Sequence, residues 1–217
     1  ADFETKSSYS ITITATDDAG SEASLTYTIS VLDVNESPTA VNLSASVIDE
    51  NVDGAIVGDL TTDDVDVGDS HTYTLSGADA DSFEVVDGQL KLKAGVSANF
   101  ENKSTYSVTV TTRDVFGSTF AQSFNVTITD VNEAPTSITL SASAIDENAT
   151  GAVVGTLNTA DVDAGDTFTY EISGADADSF EIVEGKLQLK SDISADYETQ
   201  TSYSVTVTAT DSGGLTT

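Results

Sequence analysis

The sequence predicts an all-β fold, built from tandem seven-stranded Greek-key β-sandwiches. Alternating runs such as Tyr9–Thr16 have the two-residue period of a half-buried strand. These runs are short and separated by turn residues, and no stretch shows helical periodicity. The segment Asp33–Pro38 also recurs as Asp130–Pro135, 97 residues later. Self-similarity at a fixed period indicates modules in tandem.

The recurring phrase marks the junctions between modules. Each copy follows an alternating run and ends in proline, which has no N–H to donate and therefore stops a strand ladder. We predict the end of one module over residues 1–35, a complete module over 36–132, and a module without its last strand over 133–217. An incomplete sandwich exposes backbone and core. Either the chain is cut from a longer array, which we favour, or a neighbouring chain supplies the missing strand.

Each predicted strand is a short run bounded by turn residues. The first part of the chain has two, Tyr9–Thr16 and about Ala23–Leu32, joined by a turn at Ala19-Gly20. Asp87-Gly88 predicts a hairpin turn in the complete module. The strands predicted there are Val41–Val47, Ala55–Leu60, His71–Leu75, Phe83–Val86, Gln89–Lys93, Tyr106–Thr112 and Ala121–Thr129.

The last module matches the complete one without insertion or deletion. Aromatic and aliphatic residues occupy equivalent positions in the two modules, 97 residues apart. We predict that these positions form the core. The pairs are Tyr73 with Tyr170, Phe83 with Phe180, Leu90 with Leu187, and Tyr106 with Tyr203.

Composition restricts the partners. The chain has 37 acidic and 7 basic residues, a formal charge of −30, so we expect no nucleic-acid partner. No apolar run approaches membrane-spanning length, so we expect no membrane insertion in these residues. With no cysteine, disulfides cannot stabilise the modules. The acidity has two explanations, which are metal binding by grouped carboxylates and a solvated surface adapted to salt.

Grouped carboxylates recur at the module ends with the same period. In an extended segment residues i and i+2 point to one side, so Asp64 with Asp66, and Asp2 with Glu4, can converge on one ion. Oxygen ligands without His or Cys select a hard cation, and Ca²⁺ accepts many of them in flexible geometry. The recurring sets are Glu50 and Glu147; Glu4, Glu101 and Glu198, each two residues after Asp2, Asn99 and Asp196; Asp64 and Asp66 with Asp161 and Asp163; and Asp17, Asp114 and Asp211.

These motifs resemble the cadherin repeat, in the version found in large bacterial calcium-dependent surface adhesins of the RTX type. The resemblance covers essentially the whole chain and implies a cadherin/immunoglobulin-like sandwich. It also implies up to three Ca²⁺ ions at each junction. At the junction at 130–135 the implied ligands are Glu50, Glu101, Asn132, Glu133, Asp161, Asp163 and Asp211, with backbone oxygens of Val131 and Ala134.

The resemblance implies a corresponding set at the junction at 33–38. Its ligands would be Asp2, Glu4, Asn35, Glu36, Asp64, Asp66 and Asp114, with backbone oxygens of Val34 and Ser37. Asp17, Glu147, Asp196 and Glu198 would serve junctions beyond either end. Asn99 replaces the aspartate of the family's aspartate-x-glutamate pair, so we expect a weaker or empty outer site at the second junction.

Catalysis finds little support. The only histidine, His71, corresponds to Phe168 one period later, so a strand-surface role is favoured over that of a base or ligand. Calcium-bound acid pairs are poor proton donors, which argues against a glycosidase. No phosphate-binding glycine loop is visible, and no nucleophile with a base nearby.

Two functions remain open. The first is a calcium-rigidified spacer of a long extracellular, cell-surface or secreted adhesin, expected to be bacterial. Its partners would be adjacent repeats of the same chain, with homophilic contacts as a further expectation. The second is a module that itself binds a carbohydrate or protein ligand.

Overall fold

The computed structural model describes all 217 residues and is all-β. Its contacts divide the chain into unit 1, Ala1–Asp130, and unit 2, Val131–Thr217. The only helical turns are the 3₁₀ segments Ala80–Ser82 and Ala177–Ser179. No helix of this fold has the length and apolar character needed to span a membrane.

Unit 1 begins with a separate antiparallel hairpin, β1 (Ser8–Thr16) and β2 (Glu22–Ser30). Residues directly opposite each other include Tyr9 with Ile29 and Ile11 with Tyr27. Because apolar residues pair with apolar residues, one face of the hairpin is apolar and the other carries Ser and Thr. Every residue of both strands is exposed, so the apolar face has no core against it.

The rest of unit 1 is a two-sheet sandwich. One sheet has the order β3-β5-β8-β7 and the other the order β4-β10-β9-β6. The strands are β3 Ala40–Leu43, β4 Val47–Asp49, β5 Ile56–Asp63, β6 Thr72–Ser76, β7 Phe83–Val86, β8 Gln89–Leu92, β9 Thr105–Arg113 and β10 Thr119–Thr129. The all-β sandwich prediction is confirmed, and β7 has the predicted bounds.

The predicted strand Val41–Val47 is wrong as a single strand. β3 pairs antiparallel with β5, whereas β4 pairs parallel with β10 in the other sheet. The chain crosses between the sheets at residues 44–46, where the hydroxyl of Ser44 accepts the N–H of Asp59 at 2.8 Å. Gly58 makes the crossing possible, because a Cβ there would lie 2.8 Å from the nitrogen of Ala45.

Packing confirms the predicted core positions of unit 1. Phe83 and Leu90 are buried between the sheets, and the Tyr106 ring packs edge-on against Phe83 at 5.8 Å. Tyr73 packs against the same cluster. Asp87 and Gly88 both have positive φ, 51° and 78°, as the predicted hairpin turn requires.

Unit 2 repeats this plan with fewer strands. Its sheets have the orders β11-β12-β15-β14 and β13-β16. The strands are β11 Ser137–Leu140, β12 Val153–Ala160, β13 Thr169–Ser173, β14 Phe180–Val183, β15 Lys186–Leu189 and β16 Thr206–Thr210. Phe180 and Leu187 are buried, and Tyr203 packs edge-on against Phe180 at 5.6 Å. Residues 144–146, the counterpart of β4, lie outside any strand.

Replacing Gly58 with alanine tests the crossing. We expect the Gly58→Ala variant to lose about 1–3 kcal/mol of unfolding free energy, because the added methyl forces backbone to shift. Chemical denaturation measures the loss. Thr61→Ala, an exposed position on the same strand, is the matched control and should stay within about 0.5 kcal/mol. Equal stabilities of the two variants would contradict the close approach.

Candidate metal centre

Acidic side chains gather into two clusters at the first junction, within unit 1. In each cluster the carboxylate oxygens lie within 4.8 Å of one another. The first cluster consists of Glu4, Asp33, Glu36 and Asp66, and the second of Asp64, Asp69 and Asp114. Residues far apart in sequence, on both sides of the linker at 33–38, are therefore brought together.

Hydrogen bonds from the linker fix this arrangement. The N–H of Glu36 donates to Oδ2 of Asp66 at 2.9 Å. The Asn35 side-chain amide donates to Oδ2 of Asp114 at 3.0 Å and to the hydroxyl of Ser118 at 3.2 Å. These bonds tie the linker to the loop after β5 and to the loop after β9.

The loop after β5 is a turn, so the extended conformation expected for Asp64–Asp66 is wrong. The N–H of Asp66 donates to Oδ1 of Asp64 at 3.3 Å, and the N–H of Asp69 donates to the carbonyl of Asp66 at 3.3 Å. Gly68 has a φ of 101°, which permits the reversal. At this junction Asp64 lies in one cluster with Asp69, and Asp66 lies in the other with Glu36.

The glycine turn that follows β9 holds the carboxylate of Asp114 in place. Its Oδ1 accepts the N–H groups of Phe116, Gly117 and Ser118 at 2.9, 2.6 and 2.8 Å. Burial acts to raise the pKa of Asp114, but the hydrogen bonds from Asn35 and from these N–H groups outweigh it and lower the pKa. The carboxylate is therefore held in its charged form, as a metal ligand must be.

Other carboxyls of the clusters are crowded by like charge. Burial raises the pKa of Glu36, and the carboxylates of Glu4 and Asp66 raise it further. Burial also raises the pKa of Asp69, and Asp66 and Asp64 add to that effect. His71 acts to lower the pKa of Asp69, but burial and the neighbouring carboxylates outweigh it.

Several buried oxygen atoms of the two clusters bear on whether these residues suit a metal ion. Oδ1 of Asn35, Oδ1 of Asp66 and Oδ2 of Asp69 are buried and accept no hydrogen bond. Leaving such oxygens without a partner is costly, and a bound cation is the partner that carboxylate-rich surroundings favour. The donors are all oxygen, so the set fits Ca²⁺.

His71 lies at the edge of the second cluster, so its assignment to a strand surface is wrong. It precedes β6, its side chain is only 12% exposed, and Nε2 lies 3.1 Å from Oδ2 of Asp64. The sequence does not predict this contact, because the reversal of the chain between Asp64 and His71 is not visible in the local pattern.

Asp2 has a local role. Its carboxylate accepts the N–H of Thr5 at 3.1 Å and the Thr5 hydroxyl at 2.8 Å, and it lies outside both clusters. Asn99, one period later, accepts the N–H of Asn102 at 2.7 Å. An amide oxygen and a carboxylate can both close this turn, so the exchange to Asn99 preserves the local fold.

Unit 1 holds a third acidic group at its other end. The carboxylates of Glu50, Glu101 and Asp130 lie within 4.8 Å of one another. Glu50 is only 1% exposed, and its Oε2 accepts the N–H of Phe100 at 2.8 Å. A fully buried glutamate is rare unless it is paired or coordinates a metal.

Unit 2 repeats the linker geometry of the first junction. The N–H of Glu133 donates to Oδ2 of Asp163 at 2.8 Å, and the Asn132 amide donates to Oδ2 of Asp211 at 3.1 Å. Asp161, Asp163 and Asp166 form a cluster within 4.8 Å, and each has a buried oxygen without a hydrogen-bond partner.

The remaining predicted residues are more exposed. Glu147, Asp196 and Glu198 form an exposed cluster within 4.8 Å. Asp17 accepts the N–H groups of Ala19 and Ser21 in a turn. Val34, Ser37, Val131 and Ala134 lie exposed in the two linkers, and ligation by their carbonyls stays a prediction.

Four acidic residues of these clusters were missed as ligands from the sequence: Asp33, Asp69, Asp130 and Asp166. The signal that could have found them is the period, since Asp33 recurs as Asp130 and Asp69 as Asp166. Residues that keep both type and spacing in an acidic motif are ligand candidates of equal standing.

Replacing Asp69 tests whether it is one of the calcium ligands. We expect Asp69→Asn to weaken Ca²⁺ binding at one site at least about tenfold, because one charged ligand is lost. Isothermal titration of the whole chain measures it. Asp18→Asn, in the exposed turn between β1 and β2, is the control with the same change of charge. Equal affinities for the two variants would exclude Asp69 as a ligand.

Comparison with known proteins agrees with the fold. Residues 141–217 match the family model described as the cadherin domain. The chain is 28% identical to rat (Rattus norvegicus) protocadherin-16 over 234 aligned positions, covering 99% of this chain and 7% of that protein. It is 30% identical to human (Homo sapiens) cadherin-12, covering 79% of this chain and 24% of that protein.

Solved structures extend the likeness over the full chain. The structure of protocadherin gamma B7 extracellular cadherin domains 1–4 superposes with a TM-score of 0.72 at 25% identity, covering all of this chain and 57% of that one. The chain spans less than a quarter of the length of the curated relatives named above. The fold is thus the cadherin-type β-sandwich, and the cadherin-domain match covers residues 141–217.

Proposed function

We propose that this chain consists of cadherin-type repeats whose junctions bind Ca²⁺, and that it serves as a calcium-rigidified spacer in an extracellular adhesive protein. The observation that carries the proposal is the set of buried, unpartnered oxygens of Asn35, Asp66 and Asp69 among clustered carboxylates. The predicted module boundaries at 35/36 and 132/133 belong to the same proposal.

The protein's own residues prepare the site. Asn35 and the N–H of Glu36 hold the linker against Asp114 and Asp66. Oδ1 of Asn35 and Oδ1 of Asp66 accept no hydrogen bond and stay available to a cation. Bound Ca²⁺ would neutralise the clustered carboxylates and join residues from both sides of the linker.

The period extends the proposal to the second junction. The ligands would be Glu50, Glu101 and Asp130 from unit 1, and Asn132, Glu133, Asp161, Asp163, Asp166 and Asp211 from unit 2. Because of Asn99, a weaker or empty outer site remains our expectation there. The exposed set Glu147, Asp196 and Glu198 would serve a further junction.

A structural role suits the rest of the molecule. The acidic residues with raised pKa values include Glu36 and Asp69, which both lie in the clusters of the first junction. The relatives named protocadherin and cadherin support an extracellular, cell-surface location and adhesion through repeats. Placement in a bacterial adhesin is part of the proposal and rests on the sequence resemblance.

Small-angle X-ray scattering of the whole chain tests the spacer function. We expect chelation of Ca²⁺ to change the maximum dimension, because repulsion among uncompensated carboxylates loosens the linker. The variant Glu36→Gln/Asp66→Asn should show a smaller calcium-dependent change, because only the second junction then keeps its full set of carboxylates. Asp18→Asn/Asp87→Asn removes the same number of charges from turns outside the clusters and should respond as the unmodified chain does.

Two outcomes would contradict the proposal. A maximum dimension that is the same with Ca²⁺ and with chelator would reject rigidification. Saturable binding of the isolated chain on a glycan array, unaffected by chelation, would favour the alternative, in which the repeats themselves bind a ligand.

A further inference from the structure

The imidazole of His71 lies against the second cluster of the first junction. Its Nε2 is 3.1 Å from Oδ2 of Asp64, and the two side chains are only 12% and 3% exposed. His71 also acts on the pKa of Asp69, which places the ring within electrostatic reach of a second member of the cluster. A nitrogen donor therefore stands beside the oxygen donors of this cluster.

The pairing of β6 with β9 holds the ring in this position. Thr72 lies opposite Arg113, so the adjoining residues His71 and Asp114 are neighbours at the same end of the sheet. The turn that contains Gly68 brings the acidic loop after β5 to that end as well. Three separate parts of the fold thus supply the donors, which are the loop after β5, the start of β6 and the loop after β9.

The hydrogen bonds of the cluster leave one buried acceptor unused. A carboxylate can only accept, so the Nε2–H of His71 donates to Asp64. Oδ2 of Asp69, in contrast, is buried and accepts no hydrogen bond. A buried oxygen without a partner is costly, and a bound cation would satisfy it.

We propose that His71 and the three aspartates of the second cluster form a mixed nitrogen–oxygen site for Zn²⁺, which competes there with Ca²⁺. Imidazole nitrogen is a ligand that Zn²⁺ favours, whereas Ca²⁺ takes oxygen ligands. Two ligand atoms of one tetrahedral Zn²⁺ lie about 3.3 Å apart. This separation is close to the 3.1 Å between Nε2 of His71 and Oδ2 of Asp64. Binding through Nε2 needs the tautomer that carries its proton on Nδ1, so the charge of the ring is unchanged.

The second junction provides a matched comparison within the same chain. Phe168 stands where the first junction has His71, and β13 pairs with β16 in the same register, with Thr169 opposite Thr210. Oδ2 of Asp161, the counterpart of the atom that His71 contacts, is buried and has no hydrogen-bond partner. That cluster offers oxygen ligands without a nitrogen and therefore suits hard cations. The two junctions should thus differ in their preference between Zn²⁺ and Ca²⁺.

This inference rests on the cluster that the proposed function assigns to Ca²⁺, and it adds a second class of cation to that cluster. The two proposals are tested separately. Zn²⁺ binding is measured on the whole chain in calcium-free buffer and needs no change of dimension, whereas the spacer function is measured by scattering with Ca²⁺ and without it.

Titration of the calcium-free chain with Co²⁺ and then Zn²⁺ tests the site. Co²⁺ adopts the geometry of Zn²⁺ but absorbs visible light, which d¹⁰ Zn²⁺ does not. We expect a visible Co²⁺ absorption band that Zn²⁺ displaces. His71→Phe, which copies the second junction, should weaken Zn²⁺ binding at least about tenfold, because the nitrogen ligand is lost.

The reciprocal exchange is a test by gain of binding. Phe168→His should add a second Zn²⁺ site to the chain, because it places a nitrogen donor beside the cluster of unit 2. Gln122→His, at an exposed position of β10, adds the same side chain away from the acidic clusters and is the matched control.

Two results would overturn the Zn²⁺ site. The first is a His71→Phe variant that binds Zn²⁺ as tightly as the unmodified chain, and the second is a Phe168→His variant that gains no more Zn²⁺ than Gln122→His does. Either result leaves the calcium-dependent scattering untouched. Conversely, a displaceable Co²⁺ band that requires His71, in a chain whose dimension ignores Ca²⁺, would support the Zn²⁺ site and reject the spacer function.

Discussion

Crowding of like charge around the linker is the constraint on which the junction depends. At the first junction, carboxylates from four separate segments approach within 4.8 Å inside two adjacent clusters. Few basic residues are available to compensate them, because the chain has 7 against 37 acidic residues. Backbone N–H groups and the Asn35 amide satisfy some of the oxygens, and those left over face one another. A partner of opposite charge would stabilise such an arrangement.

The two linkers strengthen this interpretation because they are separate copies of one geometry. The amide-to-carboxylate distance is 3.0 Å from Asn35 to Asp114 and 3.1 Å from Asn132 to Asp211. The backbone donors Glu36 and Glu133 reach their aspartates at 2.9 and 2.8 Å. The side chain of the linker residue after each of these glutamates differs, Ser37 in one and Ala134 in the other, without disturbing these bonds. The hydrogen bonds therefore depend on the asparagine and on the backbone, and the following side chain is free to vary.

The two-residue alternation and the 97-residue period predict most of this structure, whereas the local turns are not predicted. Alternation and the 97-residue period predicted the sandwich, its core and most clustered acids. The reason is that a half-buried strand needs an apolar residue at every second position, and that repeated modules carry equivalent residues at a fixed spacing. The crossing at 44–46 was missed because Val41–Val47 alternates throughout, and only the close approach of Gly58 requires the break. Asp69 and the contact of His71 with Asp64 were missed for a similar reason, because a turn closed by Gly68 reverses the chain. Such tertiary constraints leave little trace in local patterns.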